Sequence, residues 1–330
     1  MKPISLAATQ KKRYQQLIAS VSSEDVLGVM INADPDAMAS ALALKRLFWR
    51  KVKNTLICRI NAIKRSDNLA MVKLLNLPVP YVNRANTSSV TKWAIVDSQP
   101  HHHPRFAKVK FDIIIDHHPP APDLEAPFID IRDNCGATAS MLTEYLRAAA
   151  IKPSARLATA LFYGIKTDTD NFARASTAND IKAFKYLYPF VNLNIIKKIE
   201  SSEINKSNLA DFRTAFENLE FIGNTTYIHM GSVADPDALV IIADFFLKMA
   251  ETTRCFVSGI YGQKVILIIR NAGFRVHAGK LAQRLFGDLG SAGGHKNAAR
   301  VEMPLGTVMK KIASESAVES YIRGKIKEKS

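Results

Sequence analysis

Short apolar runs alternate with stretches of helical spacing along the first half of the chain. Apolar runs of four to eight residues bounded by polar residues are typical of strands, and the longer periodic segments favour helices. The pattern predicts strands at residues 26–32, 55–61, 93–97 and 111–116, and helices at residues 5–22, 36–50, 137–150 and 155–165. Strands that alternate with helices indicate an α/β fold with a parallel sheet, whose ligands bind at the carboxyl ends of the strands.

A second, smaller α/β unit is predicted in the last third of the chain. Its pattern predicts a strand at 226–230, a helix at 238–249, a hairpin of 255–261 and 265–270, a helix at 276–286, a glycine-rich loop at 287–294 and a basic helix at 307–328. The hairpin would turn through the three residues Gly262-Gln263-Lys264. We therefore expect a larger domain at residues 1–190, a helical connector at 191–218 and a smaller domain at 219–330, with a cleft between the two domains.

Four short clusters of acidic residues and histidines follow the apolar runs. Such ends can converge at one edge of a parallel sheet, because its strands all finish on the same side. Carboxylates with imidazole suit hard or borderline divalent cations, so the four clusters together predict a binuclear metal site. The clusters are Asn32-Ala33-Asp34-Pro35-Asp36, Val96-Asp97-Ser98, Asp116-His117-His118 and Thr167-Asp168-Thr169-Asp170.

The charge of the chain adds a class of partner. The 330 residues contain 45 Lys and Arg against 30 Asp and Glu, a net charge of +15. A surplus of this size favours a polyanion such as nucleic acid, nucleotide or polyphosphate, or an anionic membrane face; the alternative is a basic surface that only aids solubility.

Cysteine use and hydropathy indicate a cytoplasmic protein. The three cysteines, Cys58, Cys135 and Cys255, lie far apart and form no CxxC pair, which gives no sign of a zinc site or a disulfide framework. No apolar run approaches the roughly 20 residues that span a bilayer, and the N-terminus lacks the apolar segment of a signal peptide. We expect no membrane association.

The four clusters resemble motifs I to IV of the DHH phosphoesterase superfamily, which takes its name from the triplet Asp116-His117-His118. The stretch Gly293-Gly294-His295 resembles the GGH signature of the associated DHHA1 substrate-binding domain. The resemblance covers residues from about 25 to 305 and is strongest to the oligoribonuclease and 3′-phosphoadenosine-5′-phosphate phosphatase branch. It implies a phosphoric ester hydrolase with a two-domain α/β fold, and a homodimer is compatible with it.

The resemblance also implies the metal ligands. Asp34 would hold the first metal, Asp36, His117 and Asp168 the second, and Asp97 would bridge them. Two cations about 3.5–4 Å apart can clamp a phosphoryl group and activate a water. Carboxylates with one imidazole suit Mn²⁺ better than zinc, and Mg²⁺ is an alternative. His118 would face the phosphate and assist the leaving group, so Asp97 and His118 are the predicted catalytic residues.

One residue departs from the motif. Met30 stands where the family has the His that completes the first metal site, and a thioether is a poor ligand for Mn²⁺ or Mg²⁺. The first metal would then bind weakly, recruit extra water, or wait for phosphate oxygens of the substrate. The run His101-His102-His103 is a second source of a ligand, although such a run is more often solvent-exposed.

The second domain supplies the predicted substrate contacts. Gly293 and Gly294 can present backbone N–H groups to an anion, and His295 adds a side-chain donor. Arg270 ends the hairpin strand and resembles the family's substrate-contacting Arg, and a guanidinium can bind phosphate in a bidentate manner. Phe274 is the nearby aromatic for base stacking.

Taken together, these features predict a manganese-dependent phosphoesterase that hydrolyses short oligoribonucleotides or small nucleotide phosphates. The alternative is a non-catalytic nucleotide-binding module, with a first metal site degraded at Met30.

Overall fold

The structure is a computed structural model that describes residues 6–85, 87–173, 176–202, 204, 206, 208–273 and 275–327. Phe274 lies outside the described residues. The chain divides into two compact units, Met1–Ser202 and Glu203–Ser330. Among the described residues, no helix is both long enough and apolar enough to span a membrane.

The first unit is built on a five-stranded parallel sheet. Its strands are β1 (Val26–Ile31), β2 (Asn54–Arg59), β3 (Lys92–Val96), β4 (Ile113–Asp116) and β5 (Phe128–Ile131), in the order β2-β1-β3-β4-β5. The order reverses between β1 and β3. At such a switch point the loops leave in opposite directions and open a crevice beyond the carboxyl ends of the strands.

Helices cover this sheet, and they are α1 (Leu6–Ala19), α2 (Pro35–Leu47), α3 (Ser66–Leu74), α4 (Thr138–Ala148), α5 (Ala155–Asp168), α6 (Ala178–Leu187) and α7 (Leu193–Glu200). Successive residues of β1 point to opposite faces of the sheet. Val29 and Ile31 join a large apolar core with α2, α4 and α5, whereas Met30 joins a smaller cluster on the other face with Cys58 and Ile95.

Helix α5 lies against the start of α2 at a glycine. A Cβ on Gly164 would come within 3.1 Å of the Asp36 Cα and 3.2 Å of the Pro35 carbonyl oxygen. A side chain there would require the two helices to move apart by a few tenths of an ångström. Because Asp168 is one turn further along α5, this close approach brings its carboxylate towards Asp36.

The second unit contains a six-stranded sheet of order β10-β11-β9-β8-β7-β6, in which the β7–β8 pair is parallel and the other pairs are antiparallel. The strands are β6 (Leu219–Ile222), β7 (Thr225–Ser232), β8 (Arg254–Tyr261), β9 (Lys264–Asn271), β10 (Ser291–Gly294) and β11 (Ala298–Pro304). The helices are α8 (Asn208–Glu217), α9 (Asp237–Phe246), α10 (Ala278–Phe286), α11 (Leu305–Met309) and α12 (Val318–Lys327).

The α/β fold class, with a parallel sheet and a second, smaller α/β unit, is confirmed. Three local predictions were wrong. Tyr261 pairs with Lys264, so the hairpin loop has two residues, and Gly262 supplies the positive φ of 57° that it needs. The predicted loop at 287–294 contains β10, and the predicted helix at 307–328 is interrupted between α11 and α12.

The pairing of β10 with β11 explains the second of these differences. Glycine gives no strand signal by itself, and here the neighbouring strand supplies the hydrogen bonds. The sequence pattern also missed β5, β6, β11, α3 and α6.

Candidate metal centre

The acidic strand ends meet at the switch point of the first sheet. Asp34 lies three residues after β1, Asp97 follows β3 directly, and Asp116 is the last residue of β4. Asp97 is held in the left-handed region at φ 59°, and its amide donates to the Ile115 carbonyl at 2.9 Å. Such a conformation is uncommon outside glycine and asparagine, and here it places a buried carboxylate beside the end of β4.

His117 is the centre of the arrangement. Its Nδ1 lies 3.3 Å from the Cys135 carbonyl oxygen and donates to it, which leaves Nε2 as the nitrogen that can bind a metal. Nε2 is 3.4 Å from Asp97 Oδ1 and 3.0 Å from Asp168 Oδ2. Although these distances are short, this buried Nε2 has no partner of hydrogen-bonding geometry among the described residues. A buried imidazole nitrogen that faces two carboxylates is the environment that a cation would complete.

Asp36 contributes a third carboxylate and fixes the neighbouring helix. Its oxygens accept from the amides of Thr138 and Ala139, each at 2.7 Å, and from the Ser40 hydroxyl at 3.2 Å. It therefore caps the first turn of α4 from α2. The Thr138 hydroxyl also donates to Asp97 Oδ1 at 3.0 Å, so the start of α4 holds two of the acidic residues.

The side chains fall into overlapping groups that fit a divalent cation. The ligand atoms of Asp36, His117 and Asp168 lie within 4.8 Å of one another, and so do those of Asp97, His117 and His118. The first group, with two carboxylates and one imidazole nitrogen, matches the preferences of Mn²⁺ and Mg²⁺, and no described thiol belongs to either group. The residues at this candidate metal centre thus provide a suitable donor set.

The raised pKa values of the buried carboxylates also favour a bound cation. Burial, and then the charge of Asp168, raises the pKa of Asp36 to about 7. Burial also raises the pKa of Asp34 to about 6, and it raises the pKa of Asp97 well above its ordinary range together with the charges of Asp36 and Asp34. Like charges packed this closely are unfavourable without a cation between them.

The first predicted metal position is less complete. Asp34 is half-buried and uses Oδ1 to accept from the Ala37 amide at 2.8 Å, which caps α2. Met30 is 4% exposed and packs in the apolar cluster with Cys58 and Ile95, so position 30 brings no metal-ligating atom. Asp34 and Asp97 are the remaining predicted ligands for this position.

Asp116 and His118 form a hydrogen-bonded pair beside the metal centre. Asp116 Oδ1 accepts from His118 Nδ1 at 2.8 Å and from the His117 amide at 2.9 Å. Burial raises the pKa of Asp116, but the hydrogen bond and charge of His118 together with the hydrogen bond from Gln99 outweigh it, and the net shift is downward. This ionised carboxylate fixes the tautomer of His118 and leaves its Nε2 as the proton-exchanging atom.

Gln99 is a buried residue that the sequence pattern did not identify. Its Nε2 donates to Asp116 Oδ2 at 2.7 Å and to the Pro119 carbonyl at 3.0 Å, while its Oε1 accepts from the Ala121 amide at 2.8 Å. It ties the loop after β3 to the loop after β4. Thr138 was missed as well, and the only signal for it is the run of small residues at 136–140.

His102 is the member of the histidine run that lies nearest to the triplet. Its Nδ1 accepts from the Gln99 amide at 3.2 Å, so Nε2 holds the proton of the neutral ring. Ligand atoms of His102, Asp116 and His118 lie within 4.8 Å of one another. The oxygens of Asp116 are already occupied by His118, the His117 amide and Gln99, so we do not assign a metal to this group.

The predicted substrate contacts lie together in the second unit. In the strand register Arg270 pairs with Ala298 and Gly294 pairs with Ala299. The carboxyl ends of β9 and β10 therefore lie at the same end of the sheet, on either side of the start of β11. Arg270 forms an ion pair with Asp244 at 2.5 Å, so its guanidinium is held in place. Gly294 has a φ of 146° and lies against Gly279. A Cβ on Gly279 would come within 2.1 Å of the Gly294 carbonyl oxygen.

We expect metal binding to strengthen as pH rises. Burial lowers the pKa of His117, but Asp168 and Asp36 outweigh it and raise the pKa to about 9. The raised pKa values of Asp34 and Asp36, about 6 and about 7, favour their protonated forms in the fold. A cation must displace these protons, and the metal-free fold loses stability as pH increases through the same range.

The stabilisation by Mn²⁺ should therefore be larger at pH 8 than at pH 6. Thermal unfolding with 1 mM MnCl₂ or with EDTA, at both values, measures it as a difference of two midpoints. His117→Ala, which removes the central imidazole, should show a much smaller difference at either pH. Equal Mn²⁺ stabilisation of the native chain at the two pH values would contradict this linkage.

Comparison with known proteins gives a family match within the first unit. The model of the DHH family, N-terminal domain, matches residues 27–165. The chain is 37% identical over 302 residues to an uncharacterized protein of Methanocaldococcus jannaschii, and it is 27% identical over 299 residues to the A-adding tRNA nucleotidyltransferase of Geobacter sulfurreducens. These alignments cover 90% and 83% of this chain but 62% and 32% of the relatives, so the chain spans less than two thirds of either.

Solved structures share the fold at low sequence identity. An exopolyphosphatase-related protein from Bacteroides fragilis has a TM-score of 0.71 and 15% identity, covering 98% of this chain and 99% of that one. RecJ from Thermus thermophilus, in complex with Mn²⁺, has a TM-score of 0.55 and 14% identity, covering 97% of this chain and 54% of that one. At these identities the similarity establishes the fold.

Proposed function

We propose that the chain, whose residues 27–165 match the model of the DHH family, N-terminal domain, is a metal-dependent phosphoesterase. The proposed metal ligands are Asp34, Asp36, Asp97, His117 and Asp168, and the proposed catalytic residues are Asp97 and His118. Its proposed substrates are short oligoribonucleotides or small nucleotide phosphates.

One observation carries the proposal. The buried His117 Nε2 lies 3.4 Å from Asp97 Oδ1 and 3.0 Å from Asp168 Oδ2, and it has no partner of hydrogen-bonding geometry among the described residues. Buried polar atoms in proteins normally have such a partner. This environment suits a metal ligand whose other nitrogen is fixed by a backbone carbonyl.

When bound there, a divalent cation would neutralise charge on a phosphoryl oxygen and make water nucleophilic near neutral pH. The residues of the chain supply the remaining parts. Asp97 and Asp36 are held by the start of α4, so their oxygens are positioned before any ligand arrives. His118 keeps 44% of its side chain exposed while Asp116 holds its Nδ1, which suits transfer of a proton from Nε2 to the leaving oxygen.

The nucleotide part of the proposal has its own support. The chain carries a net charge of +15, which favours a polyanionic substrate. In the second unit, Arg270 and the Gly293-Gly294-His295 segment lie at one edge of the sheet, where a cation and exposed backbone can meet an anion. We assign substrate contacts to these four residues. The Mn²⁺ in the RecJ structure makes this ion the first one to test.

Hydrolysis of a 5′-labelled RNA dinucleotide and of adenosine 3′,5′-bisphosphate tests the function. Each would be incubated with MnCl₂, MgCl₂ or EDTA, beside the His117→Ala variant. The expected result is turnover of at least one substrate with Mn²⁺, which is lost in EDTA and in the variant. Turnover that persists in the folded variant would contradict the assignment of the site.

A second candidate function rests on Met30. Because position 30 presents a thioether to an apolar cluster, the first metal position lacks one of the ligands that the motif implies. A centre with one complete metal position can bind a nucleotide without hydrolysing it, so the chain would act as a nucleotide-binding regulatory module. This candidate requires that phosphate hydrolysis fail while nucleotide binding is retained.

Met30→His separates the two functions. If the chain is an enzyme whose first site is incomplete, the added imidazole should raise the apparent Mn²⁺ affinity by on the order of tenfold. Removing a group that supports a metal site typically lowers the affinity by at least this factor. Titration of Mn²⁺ into both proteins by calorimetry measures the affinity, and hydrolysis rates are compared at saturating metal. Met30→Leu, which keeps the apolar packing, is the control and should match the native chain. Tighter Mn²⁺ binding without any hydrolysis would favour the regulatory module.

A further inference from the structure

A long basic segment follows the first acidic cluster. Between Asp36 and Asp67 the sequence contains no Asp or Glu. Within that interval lie eight basic residues, Lys45, Arg46, Arg50, Lys51, Lys53, Arg59, Lys64 and Arg65. A solvated surface usually mixes both signs of charge, so this segment creates a strongly positive local field.

Part of the segment forms one wall of a cavity in the first unit. The cavity has a volume of about 420 Å³ and lies at the end of α2, beside the start of α5. Lys45, Arg46 and Arg156 line it together with Trp49 and apolar side chains such as Leu42. None of the described residues that line it carries a carboxyl group. The cavity therefore combines an apolar floor with three cations.

Trp49 is the most unusual member of this wall. It is 61% exposed, although an indole normally covers a large apolar area when it is part of a core. It lies two residues after the end of α2, next to the basic residues of the same segment. An exposed indole that lines the same cavity as three cations is a combination that can stack a base and neutralise neighbouring phosphates.

Two of the cations are held in position. The Lys45 ammonium donates to the Thr55 carbonyl at 2.8 Å, and the Arg156 guanidinium donates to the Asn76 carbonyl at 2.7 Å. Each group keeps further N–H donors, since an ammonium has three and a guanidinium five. Burial, followed by the charge of Arg156, lowers the pKa of Lys45, as expected for cations that face one cavity without an anion.

We propose that this surface, defined by Lys45, Arg46, Trp49 and Arg156, binds single-stranded RNA. The identity of the strand rests on the proposed function, in which an oligoribonucleotide is hydrolysed at the metal centre. Helix α2 links the two places, because Asp36 lies in its first turn and Trp49 just beyond its end. The 13 residues of this helix span about 20 Å, which corresponds to roughly six stacked nucleotides.

Binding can be measured without catalysis. A 5′-labelled 12-nucleotide single-stranded RNA would be titrated with protein in EDTA and followed by fluorescence anisotropy. Trp49→Ala should weaken binding by about tenfold, within the range for loss of one base–aromatic stack, while Trp49→Phe should retain most of the affinity. Arg46→Ala/Arg156→Ala should also reduce the slope of log K against log salt by about 1.4, since each phosphate contact contributes about 0.7.

The matched control is Lys108→Ala/Lys110→Ala, which removes two exposed cations elsewhere in the first unit. It should leave the affinity for the 12-nucleotide RNA close to the native value. Equal losses in the control and in Arg46→Ala/Arg156→Ala would overturn the proposal, because attraction would then come from overall charge. Normal RNA affinity in Trp49→Ala would also overturn it. Unaltered thermal unfolding midpoints confirm that the variants are folded.

Other anionic partners give different results. Tighter binding of the same strand as DNA, or Trp49-dependent binding of phosphatidylserine vesicles without RNA binding, would overturn the choice of RNA. The test is also independent of hydrolysis. RNA binding that requires Trp49, with no turnover of any phosphate ester, would leave this surface intact and remove the proposed function. Turnover of a phosphate ester, with unaltered RNA binding in Trp49→Ala, would support the proposed function and overturn the RNA-binding surface.

Discussion

Replacing Asp97 by asparagine is expected to reduce Mn²⁺-dependent hydrolysis by about 10³-fold or more. Asp97 is the proposed shared ligand, and it lies 3.4 Å from His117 Nε2. A carboxylate that holds a cation against a phosphoryl group supports several kcal/mol of transition-state stabilisation, and each 1.36 kcal/mol is tenfold in rate. Asparagine keeps the shape and one carbonyl oxygen but removes the charge, so the loss reports on the metal and not on packing.

The same change should stabilise the metal-free protein. Burial, followed by the charges of Asp36 and Asp34, raises the pKa of Asp97, so ionising it in the fold is unfavourable. For a carboxyl whose folded pKa lies above its unfolded value, stability declines as pH rises from the unfolded pKa to the folded one. The asparagine of the variant carries no charge and escapes this decline, while its side-chain carbonyl oxygen can still accept from Thr138.

Activity and stability must therefore move in opposite directions. Hydrolysis is measured with saturating Mn²⁺, and thermal unfolding is measured in EDTA at pH 8. Asp133→Asn makes the same chemical change on an exposed residue and should alter neither quantity appreciably. Full activity in Asp97→Asn would refute the proposed role of Asp97. A lower midpoint in EDTA would refute the argument from buried charge.

Much of this centre could be predicted because its residues lie at the ends of apolar runs. β1, β3 and β4 are each made almost entirely of apolar residues, and the polar residue that ends each run must lie at the sheet edge. In the structure Asp97 and Asp116 lie at the ends of β3 and β4, and Asp34 lies three residues after β1, as that rule predicts. Asp168 required a further step, since it ends a helix and reaches the site through the close approach at Gly164.

The supporting contacts could not be predicted in this way. Gln99 and Thr138 act through hydrogen bonds between segments that are distant in sequence, and no local periodicity marks such a bond. β10 was missed because its pairing comes from β11 and not from its own residues. The same applies to a buried ionic network around Arg132, which no motif indicates.

Arg132→Leu is expected to lower the free energy of unfolding by about 3–5 kcal/mol, the usual effect of removing one partner from a buried ion pair. The Arg132 guanidinium binds Asp130 with two bonds, of 2.6 and 3.0 Å, and Glu144 with one of 2.6 Å. The three side chains are 8 to 11% exposed, and the Tyr145 hydroxyl also donates to Asp130. Without the guanidinium, two carboxylates would stay buried without their cation.

The network connects the end of β5 to α4, the helix whose first turn holds Asp36 and Asp97. For a unit of this size, about 3–5 kcal/mol corresponds to a decrease of roughly 6–20 °C in the midpoint. Thermal unfolding in EDTA measures the decrease. The midpoint of Arg132→Lys should lie between those of the native chain and Arg132→Leu, because lysine keeps the positive charge but cannot form the bidentate hydrogen bonds of a guanidinium. A midpoint within about 2 °C of the native value would contradict the prediction, because it corresponds to a loss of under about 1 kcal/mol in the free energy of unfolding.

The dependence of this loss on pH identifies its cause. Burial raises the pKa of Asp130, but Arg132 outweighs it and the net shift is downward, so the native contribution is present above about pH 4 and declines as pH falls. In Arg132→Leu the Asp130 carboxyl is buried without its cation and can avoid this by taking up a proton as pH falls, so the difference from the native chain should be larger at pH 8 than at pH 5. Combining Arg132→Leu with Asp130→Asn and Glu144→Gln removes both charges and should recover part of the stability at pH 8. Failure to recover any would mean that Arg132 acts through its packing, and not through the two carboxylates that it neutralises.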